Sequence, residues 1–261
     1  PDARDIHVGE GVLRFDGVDF AYKAGEDHVP ALHDVSFEVR RGQTLGIVGP
    51  PGAGKSTIAH LIPRFYDVSG GAITIDGQDI RTVTLKSLRT EVRVIQQDMF
   101  LFTAGIEHNV AYGNPWADRD RIVTAADPAQ LHSYIDGLPK GYRTMVGERG
   151  VSLSGGQRQR LAIARTLILE PSIIVFDDST AAIDAATEQR IHSALREAST
   201  DRVTVIISHR LSSLMHADEI LFIEDGRVVE RGTHDELIAL NGRYQHLYEL
   251  QSNPVDEELL Q

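Results

Sequence analysis

Hydrophobic and polar residues alternate in three early segments, Gly11 to Phe20, Leu32 to Val39 and Gly71 to Ile75. Period-two patterning with β-branched and aromatic side chains predicts half-buried antiparallel strands. A second pattern interrupts them. Thr44-Leu45-Gly46-Ile47-Val48 is a continuous apolar run, as in a buried strand, and Ile58-Ala59-His60-Leu61-Ile62 reads as the first turns of a helix. Val92 to Ile95 predicts another strand, with the polar step Gln96-Gln97-Asp98 at its end. From about Met99 to Lys140 strand signals vanish, and Ala-, Leu- and Ile-bearing segments alternate with breaks at Gly113-Asn114-Pro115, Asp127-Pro128 and Gly137-Leu138-Pro139. This predicts a helical insert, about 99–165, closed by the strong helix pattern of Arg158 to Leu169. Strands return at Ile173 to Phe176, Val203 to Ile207 and Glu219 to Ile223, with helices between them. That alternation predicts an α/β fold with a mostly parallel sheet covered on both faces, and the early strands forming a small antiparallel sheet beside it. Asp225-Gly226 predicts a hairpin into Arg227-Val228-Val229, and Thr233-His234-Asp235-Glu236 a capping box opening the last helices.

Length and charge narrow the picture. A chain of 261 residues can bury about three quarters of its unfolded surface without crosslinks. The absence of cysteine excludes a disulfide framework and a cysteine-ligated metal. The net charge of −12, from 38 acidic and 26 basic side chains, disfavours generic nucleic-acid binding. No apolar run approaches the roughly 18 to 20 residues that span a bilayer. Pro1 to Glu10 is polar and turn-rich, as in a linker, and 251–261 reads as an acidic tail, leaving 11–250 as one folded unit.

Between the apolar strand and the helix lies Gly49-Pro50-Pro51-Gly52-Ala53-Gly54-Lys55-Ser56-Thr57. Strand, glycine loop and helix in that order turn several backbone N–H groups toward one anion. Lys55 is placed to reach the β- and γ-phosphates of a nucleoside triphosphate, and the Ser56 hydroxyl to ligate Mg²⁺. The fold class is therefore that of a P-loop NTPase. A second apolar strand ends in Asp177-Asp178. Ligands of open α/β sheets gather at the carboxyl ends of the strands, so Asp177 suits the Mg²⁺ shell and Asp178 can orient an attacking water. Leu153-Ser154-Gly155-Gly156-Gln157, just before the Arg158 helix pattern, forms a second anion cradle from Ser154 and the Gly155 and Gly156 amides. The two cradles need not meet within one chain; a head-to-tail pair would set one subunit's cradle over its partner's nucleotide.

The phosphate loop, Leu153 to Gln157, Phe176-Asp177-Asp178 and Ser208-His209-Arg210 occur in the order and rough spacing of an ATP-binding-cassette ATPase. From about Gly11 to Leu250 the chain resembles the nucleotide-binding domain of an ABC exporter. Thr144 to Gly150 resembles the exporter segment that touches transmembrane coupling helices, and Gln97 to Phe102 the exporter glutamine loop. The resemblance implies that Pro1 to Glu10 leaves a membrane domain, and that the chain works on the cytoplasmic side of a membrane with ATP, Mg²⁺, transmembrane domains and a second nucleotide-binding domain. It also implies that Tyr22 stacks on adenine, Thr57 bonds the α-phosphate and Gln97 joins the Mg²⁺ and water shell. His209 would contact the γ-phosphate, and Gln157 belongs to the cradle facing the partner's nucleotide. Asp184 would lie at the dimer seam.

One position departs from that pattern. Family members that hydrolyse ATP well usually carry glutamate where this chain has Asp178, whose arm is one methylene shorter. The change resembles the degenerate site of a heterodimeric exporter, and the intact Leu153 to Gln157 run suits a chain that completes its partner's site. A slow homodimer, an ATP-dependent clamp without turnover, an importer ATPase and a non-transport ABC-type ATPase are the alternatives. The non-transport class splits its halves around long coiled coils, and no sustained heptads lie between Lys55 and Ser154.

Overall fold

A computed structural model of the chain describes residues 3–24, 27–96, 100–147, 151–178, 182–198 and 201–252. In chain order the elements are β1 (Val12–Ala24), β2 (Asp27–Arg40), β3 (Thr44–Val48), α1 (Lys55–Leu61), β4 (Gly70–Ile75), β5 (Gln78–Asp79), α2 (Leu85–Glu91) and β6 (Val92–Gln96). Then follow α3 (Ile106–Val110), α4 (Arg119–Ala126), α5 (His132–Asp136), α6 (Gly155–Leu167), β7 (Ile173–Asp177), α7 (Ala185–Ala198), β8 (Val203–Ile207), β9 (Glu219–Glu224), β10 (Arg227–Gly232), α8 (His234–Ala239) and α9 (Arg243–Ser252).

Two sheets result. An antiparallel sheet runs β2-β1-β4-β5, and a six-stranded sheet runs β10-β9-β3-β8-β7-β6. In the second, β9, β3, β8, β7 and β6 are parallel, and β10 folds back antiparallel on β9. The β9–β10 turn places Asp225 at φ 47° and Gly226 at φ 72°, the left-handed pair that a tight hairpin needs. Successive residues of the parallel strands feed opposite layers. Ile47, Val175 and Val205 face the antiparallel sheet and α1, joining Phe15, Phe37, Ile58 and Leu61. Ile174, Phe176 and Ile206 face the helical insert, joining Ile122, Leu161 and Ile163. With both faces covered, β3 and β8 are buried at every position, which is why they read as continuous apolar runs.

The sheet architecture and the helical insert match the expectation from sequence, with differences at the margins. Strands β1 and β2 run past their apolar stretches because they continue to pair with each other from Phe20/Leu32 to Ala24/Asp27, and ladder pairing needs no apolar side chain. Helix α2 gave too little periodicity to be seen, having one fully buried residue, Leu88. The stretch expected as a linker is laid against the domain from residue 3 onward. Ile6 is buried with its N–H donating to Ser87 Oγ (2.9 Å), and the Gly9 N–H donates to Asp76 Oδ2 (2.7 Å). Among the described residues no helix is long and apolar enough to cross a membrane.

Candidate functional site

Strand β3 delivers the chain into the glycine loop at the carboxyl edge of the parallel sheet. A Cβ on Gly49 would lie 2.0 Å from the Ile223 carbonyl oxygen, and one on Gly54, at φ 101°, 2.5 Å from that of Ala31. Only glycine lets the loop pass so close to its neighbours. The Ala53 N–H donates to the Pro50 carbonyl (3.2 Å), and the Gly226 N–H to the Ala53 carbonyl (3.1 Å), so the β9–β10 turn buttresses the loop. Pro51 and Gly52 at its tip are exposed. Gly54 offers no side-chain cap to α1, whose first N–H groups are left for an outside acceptor.

Lys55 is buried and donates from Nζ to the carbonyls of Gly49 and Pro50, both at 2.8 Å. Burial pushes its pKa down, against the opposing pull of Asp178 and Asp177. The Ser56 hydroxyl donates to Asp177 Oδ1 at 3.1 Å. Thr57 Oγ1 lies 3.0 Å from the Tyr22 hydroxyl, and the Tyr22 ring meets Phe20 and Tyr66 edge-on at 4.8 and 5.3 Å.

Asp177 ends β7 between Gln96 of β6 and Ile207 of β8. Burial raises its pKa and Asp178 adds to the rise, while the Ser56 hydrogen bond, His60 and Lys55 oppose it. Asp178 sits at φ 46°, a conformation aspartate tolerates better than most residues. Its N–H donates to the Ile207 carbonyl at 3.0 Å. Its Oδ1 accepts the His209 N–H (3.1 Å), and its Oδ2 faces His209 Nε2 (3.0 Å). Lys55, Ser56, Asp177, Asp178 and His209 thus converge on one place. Gln97, expected beside them, lies outside the described residues, although the pairing of Gln96 with Asp177 brings the chain to the edge of the site.

The second cradle is built as a helix start. Ser154 Oγ accepts the Gln157 N–H (3.2 Å) and Gln157 Oε1 accepts the Ser154 N–H (2.8 Å), a capping box at the head of α6. Gly155 and Gly156, at the first two helical positions, have no acceptor for their amides within the helix. A Cβ on Gly156 would come within 3.0 Å of the Ala182 carbonyl, so the cradle leans on the segment that leads to Asp184. Asp184 itself caps α7, accepting the Thr187 N–H on Oδ1 (2.9 Å), and that bond pulls its pKa down. Among the described residues no hydrogen bond joins Ser154–Gln157 to the Lys55 loop. In the segment likened to the exporter coupling contact, Met145 is half exposed and Gly105 bridges to it; 148–150 lie outside the described residues.

The donor set fits Mg²⁺. A hydroxyl and a carboxylate oxygen, already adjacent and exposed on the Ser56 side, are the hard oxygen ligands that ion takes from protein, with the rest of its shell supplied by phosphate and water. When bound, it would neutralise charge on the phosphates.

Residues 32–181, from β2 through the phosphate loop to just past Asp178, match the family model described as ABC transporter. This chain belongs to the ABC transporter family. It is a nucleotide-binding domain of that family, similar to those of its exporters. It is 48% identical over 245 residues to the uncharacterized ABC transporter ATP-binding protein YknU of Bacillus subtilis, covering 94% of this chain and 42% of that protein. It is 47% identical over 251 residues to human ATP-binding cassette sub-family B member 6, covering 96% of this chain and 30% of that one. A solved bacterial Atm1-family ABC exporter with ATP bound superposes with a TM-score of 0.90 at 45% identity, covering 98% of this chain and 44% of the exporter. The chain therefore spans less than half the length of these relatives.

Sequence reasoning missed two participants in this ABC domain. His60 lies one helical turn after Ser56 on α1, near Asp177; the i, i+4 spacing from Ser56 was the available signal. Gln251 reaches the His209 segment from the far end of the chain.

Proposed function

We propose that the chain binds ATP with Mg²⁺ and hydrolyses it, and that this work drives export of a substrate across a membrane by transmembrane domains coupled to it. The convergence of Lys55, Ser56, Asp177, Asp178 and His209 at one sheet edge carries the reading. Lys55, desolvated and near two carboxylates, is placed to take the β- and γ-phosphates, with Thr57 on the α-phosphate and Tyr22 against the adenine. Ser56 and Asp177, with Gln97, would hold Mg²⁺. Asp178 accepts the His209 N–H on Oδ1 and has Oδ2 facing His209 Nε2, and a carboxylate has about four lone-pair positions, so capacity remains to orient a water. His209 would then face the γ-phosphate. Ser154, Gly155, Gly156 and Gln157 would close over the nucleotide of a second such domain, with Asp184 at the seam.

We infer further that this is the weaker site of a heterodimer. Asp178 lies against His209 and has a shorter arm than glutamate, whereas the capping box that presents Ser154 is complete. Replacing Asp178 with glutamate should raise MgATP turnover by roughly ten- to a hundredfold in the presence of a partner domain carrying an intact Leu-Ser-Gly-Gly-Gln run, the scale of restoring about 1 Å of alignment. Asp178→Asn should lower what activity remains, and both variants should keep ATP affinity. A wild-type rate unchanged by glutamate would contradict the weak-site reading and leave ATP binding standing.

A further inference from the structure

Outside the phosphate loop and the cradle, and among the described residues, helix α9 reaches the site without an assigned part in it. Gln251, near the end of α9, grips the segment around His209 with both ends of its amide. Its Nε2 donates to the His209 carbonyl at 2.6 Å, and its Oε1 accepts the Leu211 N–H at 3.0 Å. The two bonds span the peptide units on either side of Arg210. Gln251 also lies beyond residues 32–181 that match the family model.

Helix α9 is seated firmly enough to make that grip directional. Glu230 of β10 accepts the first N–H groups of the helix, from Arg243 (2.6 Å) and Tyr244 (3.0 Å). The Tyr244 ring is fully buried and its hydroxyl meets His234 Nδ1 at 2.8 Å. Leu247 and Tyr248 pack on the same core. Tyr244, Leu247, Tyr248 and Gln251 follow the i, i+3, i+4, i+7 stripe of one helix face, so the face that anchors the helix also aims Gln251. The His209 segment is held from its other sides too. The Ser208 N–H donates to Ile47 (3.3 Å), and Arg210 Nη1 donates to the Ile183 carbonyl (2.9 Å) next to Asp184. Of these anchors, the amide of Gln251 is the one that takes hold of the His209 main chain from outside the sheet.

We propose that Gln251 is a positioning residue for hydrolysis: it fixes the main chain of His209 so that the imidazole meets Asp178 and the γ-phosphate in register. This rests on the role given to His209 above. Gln251 is exposed, so replacing it creates no cavity and should leave folding intact.

The test uses the full chain with MgATP and a partner domain carrying an intact Leu-Ser-Gly-Gly-Gln run, with wild type, His209→Ala, Gln251→Leu, Gln251→Glu and the double variant His209→Ala/Gln251→Leu. Gln251→Leu should lower kcat about tenfold, within the range of a misplaced catalytic group, with KM and thermal midpoint nearly unchanged. Gln251→Glu keeps an acceptor for the Leu211 N–H and loses the donor to His209. It should retain amide-exchange protection at Leu211 yet lose turnover as Gln251→Leu does. In the His209→Ala background, Gln251→Leu should cause no further loss. Equal fold-losses in both backgrounds, or an unchanged kcat in Gln251→Leu while His209→Ala is impaired, would overturn the positioning role alone. Full turnover in His209→Ala would overturn the role of His209 and this proposal with it.

Discussion

At the scale of single residues the site is a balance of buried charges. Lys55 and Asp177 are each displaced toward neutrality by burial, and each is partly restored by the other. A carboxyl whose pKa is raised on folding weakens the folded state at neutral pH. The penalty is absent below the unfolded value of about 3.9 and complete above the raised folded value. Asp177→Asn keeps an acceptor for Ser56 and removes the charge. It should therefore raise the thermal midpoint of the nucleotide-free chain at pH 7, a gain that shrinks as pH falls through the Asp177 pKa. Calorimetric scans at several pH values check this; a gain that did not change with pH would contradict the burial argument. The same variant should lose the dependence of ATP binding on Mg²⁺. Trading stability for a ligand site is the usual price of a functional carboxylate.

At the scale of elements, the proposed recognition surface at the head of α6 is also a structural cap. Ser154→Ala removes the side-chain bond to Gln157 and should cost about 1 kcal/mol, roughly 2–4 °C in thermal midpoint for a domain of this size, by the usual worth of an N-cap. Ser154→Asn keeps a capping oxygen and should recover most of that loss in the same scan; no recovery would assign the stability to something other than the cap. Much of this level was legible in the sequence. Period-two alternation marked the antiparallel strands, and continuous apolar runs marked β3 and β8, because one kind is half covered and the other fully covered. The phosphate loop and the Thr233–Glu236 capping box were legible because their residues are neighbours in sequence. What was hidden depends on tertiary placement. The Tyr22 hydroxyl on Thr57, the hydrogen bond of the His209 N–H to Asp178 and the reach of Gln251 join residues 35, 31 and 40 to 42 positions apart. No local periodicity encodes such pairs. Helix α2 was hidden for the opposite reason, being too short to show a period.

At the scale of the molecule, the proposed function makes the loop at the carboxyl edge of the parallel sheet and the head of α6 two half-sites on one chain. If each triphosphate bridges a loop and a cradle from different copies, pairing should require nucleotide. Light scattering should find the chain monomeric without ATP, and Ser154→Arg, which fills the cradle with a bulky cation, should abolish any ATP-dependent pairing. A tight nucleotide-free dimer through the same face would contradict this. The central claim is that the Gly49–Thr57 loop is the binding site for MgATP, and calorimetric titration addresses it most directly. The wild type should bind MgATP at one site per chain, Lys55→Ala should lose nearly all of that binding, and Ser154→Arg should keep it. Unchanged affinity in Lys55→Ala would contradict the account.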